Sequence, residues 1–320
     1  MSLIRLKDKE DVMLRLLSRL LSRLLSGLLA LALVACQTME PAGAPQPQPK
    51  QALVNGVNLT YIEQGQGTPV VFVHGAISDW RSWELQRPAF AKKHRYIAYT
   101  QRYFGTEVWP DDGKKFSVVT HAADLAAFIR TLNLGPVHLV GWSYSGPVTA
   151  LVAIQDPDLV RSLTIHEPAI RSLIADSAEG KQALADFGIA AGPAVAAAKS
   201  GDTATAAKLF LEAVFELPRG GFDTDPVVFR NVILDNARTV PLLLVAPPPP
   251  VSCARLNTIK TPTLVTRGAK AMPYYALMSD EMVRCVPGSK LVVVPNSNHD
   301  SPQRNPAAFN EAVLSFLAKH

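Results

Sequence analysis

Leu139-Val140-Gly141-Trp142-Ser143-Tyr144-Ser145-Gly146 is the stretch on which the reading of the chain turns. A mostly apolar run, Val137 to Val140, ends in a serine with a small residue two positions away on each side. Apolar residues then recur at helical spacing through Val148, Leu151 and Ile154. The pattern predicts a strand, a sharp turn and a helix, with Ser143 at the apex. Strand and helix approach closely at such a turn, so its flanks take only Gly, Ser or Ala, here Gly141 and Ser145. The apex hydroxyl is exposed at a helix N-terminus, where free N–H groups stabilise developing negative charge. By itself the pattern is also compatible with an ordinary serine at a helix start.

Strand and helix signals alternate on either side. Asn55-Gly56 predicts a hairpin between residues 52–54 and 57–63. Pro69 to Val73 reads as a strand ending in His74-Gly75-Ala76, Trp83 to Lys92 as a helix, and Arg95 to Thr100 as a strand. Thr120 to Leu132 reads as a helix. Beyond the serine, strands are predicted at Leu163–Ile165, Pro262–Val265 and Lys290–Val294, and a last helix over Pro306 to Lys319. Such alternation implies a mostly parallel sheet covered on both faces, with its chemistry at the strands' C-terminal ends. His74-Gly75, Ser143 and His299 each follow a strand and are expected on one edge of the sheet.

Over residues 52–320 the chain resembles the α/β-hydrolase superfamily. The resemblance rests on Val73-His74-Gly75-Ala76, Gly141-Trp142-Ser143-Tyr144-Ser145-Gly146 and Asn298-His299-Asp300 before the last helix. It implies Ser143 as nucleophile and His299 as its base, since a serine hydroxyl needs an adjacent base at neutral pH. It also implies an oxyanion hole made by the backbone N–H groups of Ala76 and Tyr144. His74 is expected to be structural; His94, His121 and His320 read as surface residues. The third member of the triad departs from the superfamily's commonest pattern. Arg267 to Pro273, after the penultimate strand, holds no acid. Glu167, directly after the strand that follows the serine's helix, occupies the position used by some relatives. Asp280 is the rival, and Asp300 adjoins His299 too closely in sequence to reach its ring.

About eighty residues, 169–251, separate two sheet strands. Helical patterns at Lys181–Phe187, Pro193–Lys199 and Thr203–Phe215 predict a helical lid or cap over the strand ends. Core segments are then 52–168 and 252–320. Trp142, Tyr144, Phe210, Phe215 and Phe222 are candidates for an apolar pocket, with Tyr274 and Tyr275 at its rim. No metal-ligand cluster or dinucleotide fingerprint appears, so no cofactor is expected.

At the N-terminus Arg15, Arg19 and Arg23 precede an apolar run from Leu24 to Ala35, closed by Leu33-Val34-Ala35-Cys36. A basic segment, a short apolar run and small residues read as a signal peptide. The last four residues resemble a bacterial lipobox, which implies lipid attachment at Cys36. Gln37 after the cysteine favours the outer membrane. An amphipathic membrane-surface helix is the alternative. Residues 37–51, rich in Pro and Gln, read as an extended tether. Cys253 and Cys285 remain, as a disulfide or as two buried thiols.

Six basic and three acidic residues in positions 1–35 account for most of the +5 net charge over 320 residues. Without a basic tract there is no footprint for nucleic acid. The function expected is hydrolysis of a small, largely apolar ester or lactone through an acyl-enzyme. Carbon–carbon bond hydrolysis and cofactor-free perhydrolysis use the same triad. A binding protein that keeps the fold without activity is the alternative from another class.

Overall fold

The computed structural model describes residues 47–320; the signal segment, Cys36 and most of the tether lie outside them. Eight strands form one sheet: β1 (Lys50–Val54), β2 (Val57–Gln64), β3 (Pro69–Val73), β4 (Arg95–Tyr99), β5 (Val137–Trp142), β6 (Val160–His166), β7 (Thr263–Gly268) and β8 (Lys290–Val294). Their order is β1-β2-β4-β3-β5-β6-β7-β8. β1 and β2 pair antiparallel through the Asn55-Gly56 turn, both residues at positive φ (45° and 77°), as a tight hairpin demands. β2 is antiparallel to β4, and from β4 to β8 every pairing is parallel.

Alternation along the strands splits the core into two layers. Val71, Val73 and Leu139 face one side with the helices Val118–Thr131 and Ser145–Gln155. Val70, Phe72 and Val140 face the other with the last helix, Pro306–Leu317. Parallel strands buried on both faces need such apolar runs.

Two expectations about helices change. Residues 83–92 do not form one helix: a 3-10 turn at Trp80–Trp83 is followed by a single turn at Arg87–Phe90. Pro88 supplies no N–H and is tolerated only in a helix's first turn. Conversely, the patterns at 181–187 and 193–199 belong to one 22-residue helix, Ala178–Lys199, with Pro193 inside it. Proline removes the hydrogen bond to the Ile189 carbonyl, and Ile189 is exposed to water.

Between β6 and β7 the chain leaves the sheet. Helices Ala178–Lys199, Thr203–Val214, Val227–Asp235 and Val240–Val245 pack Phe187, Leu211, Phe215 and Ile233 onto the apolar layer that contains Phe72 and Val140. Polar pins fix this insertion to the sheet's loops. Asn236 Nδ2 donates to Asp79 (2.7 Å), Asn298 Nδ2 to the Phe215 carbonyl (2.7 Å), and Arg304 to Asp225 (2.8 Å).

Cys253 and Cys285 form a disulfide, with Cα atoms 5.0 Å apart. It joins the segment returning from the insertion to the end of the helix Pro273–Cys285. Closing a loop of this length removes denatured-state entropy. Replacing both cysteines by serine should lower unfolding free energy by about 2–4 kcal/mol, read as a lower denaturant midpoint. Equal midpoints would show that the cross-link carries no stability.

Candidate active site

The site is assembled where β3, β5, β6 and β7 end. Ser143 follows β5 with φ 56°, a left-handed conformation costly for a residue with a Cβ. Neighbouring backbone holds it there: Ser143 N–H donates to His166 O (2.9 Å), and Gly146 and Ala169 N–H donate to Ser143 O (2.9 and 3.1 Å). The flanking positions are tight. A Cβ at Gly141 would meet Thr149 Oγ1 at 2.7 Å, and one at Gly146 would meet Pro168 Cα at 2.9 Å. Ser145 Oγ sits between the sheet strands, donating to Val73 O (2.6 Å) and accepting from Trp142 N–H (2.8 Å).

His299 and Glu167 meet at the next strand ends. Nδ1 of His299 lies 2.7 Å from Glu167 Oε2, and Gly268 N–H at the end of β7 donates to Oε1 (2.7 Å). Glu167 is fully buried and is itself at φ 43°. A carboxylate on Nδ1 sets the ring's tautomer, leaving Nε2 as acceptor. Burial pushes the His299 pKa down, so the ring is neutral at pH 7 and able to take a proton. Burial likewise raises Glu167, partly offset by His166 and the Gly268 N–H. Asp280 is elsewhere, paired with Arg267 at 3.3 Å on a half-exposed face. Asp300 pairs with Arg304.

Ser143, His299 and Ala76 line one cavity together with Trp142, Phe210 and Phe215. Among the described residues no acceptor takes the backbone N–H of Ala76 or of Tyr144. The turn carrying Ala76 is braced by fully buried His74, whose Nδ1–H donates to Gly75 O (2.8 Å) while Nε2 accepts from Gln101 N–H (3.0 Å). Burial lowers its pKa to about 4, which keeps it neutral in that role. The cavity is small, about 30 Å³, room for little more than a water. A larger hollow of about 480 Å³ is lined by Glu216, Leu217 and Tyr274, and neither Ser143 nor His299 lines it.

Several side chains are not where the sequence suggests. His121 is fully buried, not on the surface. Its Nε2 is 3.1 Å from Arg102 O and its Nδ1 2.9 Å from Tyr144 Oη. The carbonyl can only accept, so Nε2 carries the proton and the tyrosine donates to Nδ1. Phe104 and Phe116 close over this pair, and burial lowers the His121 pKa to about 3. His94 is half-buried, and only His320 of the three is exposed. Phe222 belongs to the core, beneath Lys208. Tyr274 lines the larger hollow and stacks on Phe187 at 4.1 Å. Tyr275, expected at a rim, is buried against His299, their ring centroids 3.6 Å apart. Nothing in the local sequence marks the burial of His121 or the stacking of Tyr275 on His299, because each depends on residues about twenty positions away.

Comparison with known proteins agrees with this architecture. The chain is 26% identical over 275 residues to a 2-(acetamidomethylene)succinate hydrolase of Mesorhizobium japonicum, covering 82% of this chain and 93% of that one. A soluble epoxide hydrolase of Corynebacterium is 32% identical over 115 residues, 36% of this chain, and the match spans only 40% of that relative. The enol-lactonase of Burkholderia xenovorans superposes with a TM-score of 0.68 at 20% identity, over 84% of this chain and all of that one, a likeness of fold. Residues 70–312 match the model of the alpha/beta hydrolase family, and the chain belongs to that family.

Proposed function

We propose that the protein is a serine hydrolase acting on a carboxylic ester or lactone of a small, largely apolar molecule. The observation that carries this reading is the buried Glu167–His299 pair converging with Ser143 on one apolar cavity. His299 Nε2 takes the Ser143 proton as Oγ bonds to the substrate's carbonyl carbon. The carbonyl oxygen becomes the oxyanion, held by the N–H groups of Ala76 and Tyr144. Collapse expels the alcohol, protonated by His299, and leaves an acyl-serine. Water deprotonated by His299 then attacks, and breakage of the acyl–Oγ bond releases the acid and returns the proton to Ser143. Glu167 accepts from Nδ1–H throughout and stabilises the imidazolium. A lactone opens by the same steps, the alcohol remaining tethered to the acid.

Carbon–carbon bond hydrolysis is the second reading. A 2-hydroxy-6-oxo-2,4-heptadienoate hydrolase of Pseudomonas putida is 32% identical over 119 residues. A panel of esters, lactones and vinylogous 1,5-diketones separates the two. Epoxide opening through an alkyl-enzyme ester is disfavoured, because a serine stands where that chemistry needs a carboxylate.

We further propose export as a lipoprotein anchored through Cys36, with residues 37–51 as tether and 169–251 as the cap over the site. The Cys253–Cys285 cross-link supports an oxidising compartment. Cys36→Ala should shift the protein from the detergent phase to the aqueous phase on partitioning; an unchanged distribution would argue against acylation.

The chain from Gln37 onward should gain one adduct from a fluorophosphonate by intact mass, and Ser143→Ala none. Glu167→Gln should lose about 10³–10⁴-fold in kcat, because its amide offers Nδ1 a donor and favours the wrong tautomer. Labelling of Ser143→Ala at the parental rate would overturn the assignment.

The pH profile follows from burial. The base works in its neutral form, above its pKa, and burial moves that pKa down from 6.5. The acid limb of kcat/KM should therefore lie below pH 6.5. A limb above that value would mean that the Glu167 carboxylate outweighs burial.

A further inference from the structure

The end of β7 places a tyrosine against the reacting residues. Tyr275 sits in the first turn of the helix Pro273–Cys285, anchored by its N–H on Met272 O (3.0 Å) and by Ser279 Oγ on its carbonyl (2.8 Å). Its side chain is 2% exposed. The ring lies parallel to the His299 imidazole, centroids 3.6 Å apart at 10°, and Tyr274 packs edge-on behind it at 4.8 Å and 84°. Its hydroxyl interacts with the Ser143 side chain. One residue thus touches both the nucleophile and the base.

We propose that Tyr275 is a catalytic residue of this site. Its ring holds the imidazole plane and faces the charge that forms on His299, while its hydroxyl holds the Ser143 side chain for attack. The proposal rests on the serine-hydrolase reading. The physical need is specific: a base buried among Trp142, Phe215 and Tyr275 must become a cation in the transition state. Burial opposes that charge, and the negative face of an aromatic ring favours it. Burial also keeps the phenol protonated, and its hydroxyl shares a hydrogen bond with the Ser143 hydroxyl. Other ionisable groups around His299 are accounted for. Glu167 is on Nδ1, and the neutral His166 ring is 6.2 Å away. Asp300 is paired with Arg304, while Arg267 and Glu216 act on Glu167.

Two substitutions separate ring from hydroxyl. Tyr275→Phe keeps the stack and should slow fluorophosphonate labelling and kcat by about tenfold, with KM and the acid limb unchanged. Tyr275→Leu removes the stack and should also move the acid limb down by about half to one pH unit, since the imidazolium loses its π face. NMR titration of the His299 ring reads the same displacement without turnover, and its resonances should lose the ring-current shift in Tyr275→Leu but not in Tyr275→Phe. Parental labelling rate and acid limb in both variants, or His299 resonances unmoved by Tyr275→Leu, would overturn the proposal. If the parent itself fails to label, the serine-hydrolase reading falls, and the NMR comparison still decides whether Tyr275 sets the state of His299.

Discussion

Two residues with side chains are held in the left-handed backbone region at the ends of neighbouring parallel strands, and the site depends on both. Ser143 after β5 and Glu167 after β6 each cost about 1–3 kcal/mol relative to relaxed backbone. The sheet itself resists their relaxation. Ser143 N–H bonds to His166 O, and Glu167 N–H bonds to Thr266 O, so each corner continues the ladder into the next strand. Close packing at Gly141 and Gly146 leaves no space for the turn to unwind. Strain at the apex is thus over-determined by hydrogen bonds and by the lack of room, and it throws serine and carboxylate out of the strand ends toward His299.

Around that corner the protein manages protonation mainly by excluding water. His74, His121, His166 and His299 are all buried, and burial lowers the pKa of each. For His74 and His121 the neutral ring acts as a brace with one donor and one acceptor. For His299 the same neutrality leaves Nε2 a lone pair. The difference lies in the partners: carbonyls, an amide and a phenol for the braces, a carboxylate for His299. Of these hydrogen-bond partners, only the carboxylate stabilises the ring once it has taken a proton.

How much of this the chain reveals by itself depends on the range of the interaction. β8 was legible residue for residue because Lys290–Val294 is an apolar run bounded by turn residues. The sheet edge that gathers Ser143, Glu167 and His299 was legible from strand order, since each residue directly follows a predicted strand. The break at Pro88 and the single helix through Pro193 were misread, because proline's effect depends on whether the carbonyl it abandons can find water. The position of Asp280 was open in sequence and is decided by helix geometry, which turns it toward Arg267. Tyr275, a rim candidate in the sequence, was illegible as a partner of His299, and His121 was illegible as part of the site. Their meaning is a ring stack on a residue 24 positions away and a hydroxyl 23 positions away.

The pins between insertion and core differ in how solvent reaches them. Asp79 and Asn236 are fully shielded at the root, whereas Arg81–Asp235 and Arg304–Asp225 expose their guanidinium groups to bulk water at the margin. Dissolved ions screen the second kind and barely touch the first. The consequence is that added salt weakens the attachment of the insertion unevenly, at its margin before its root.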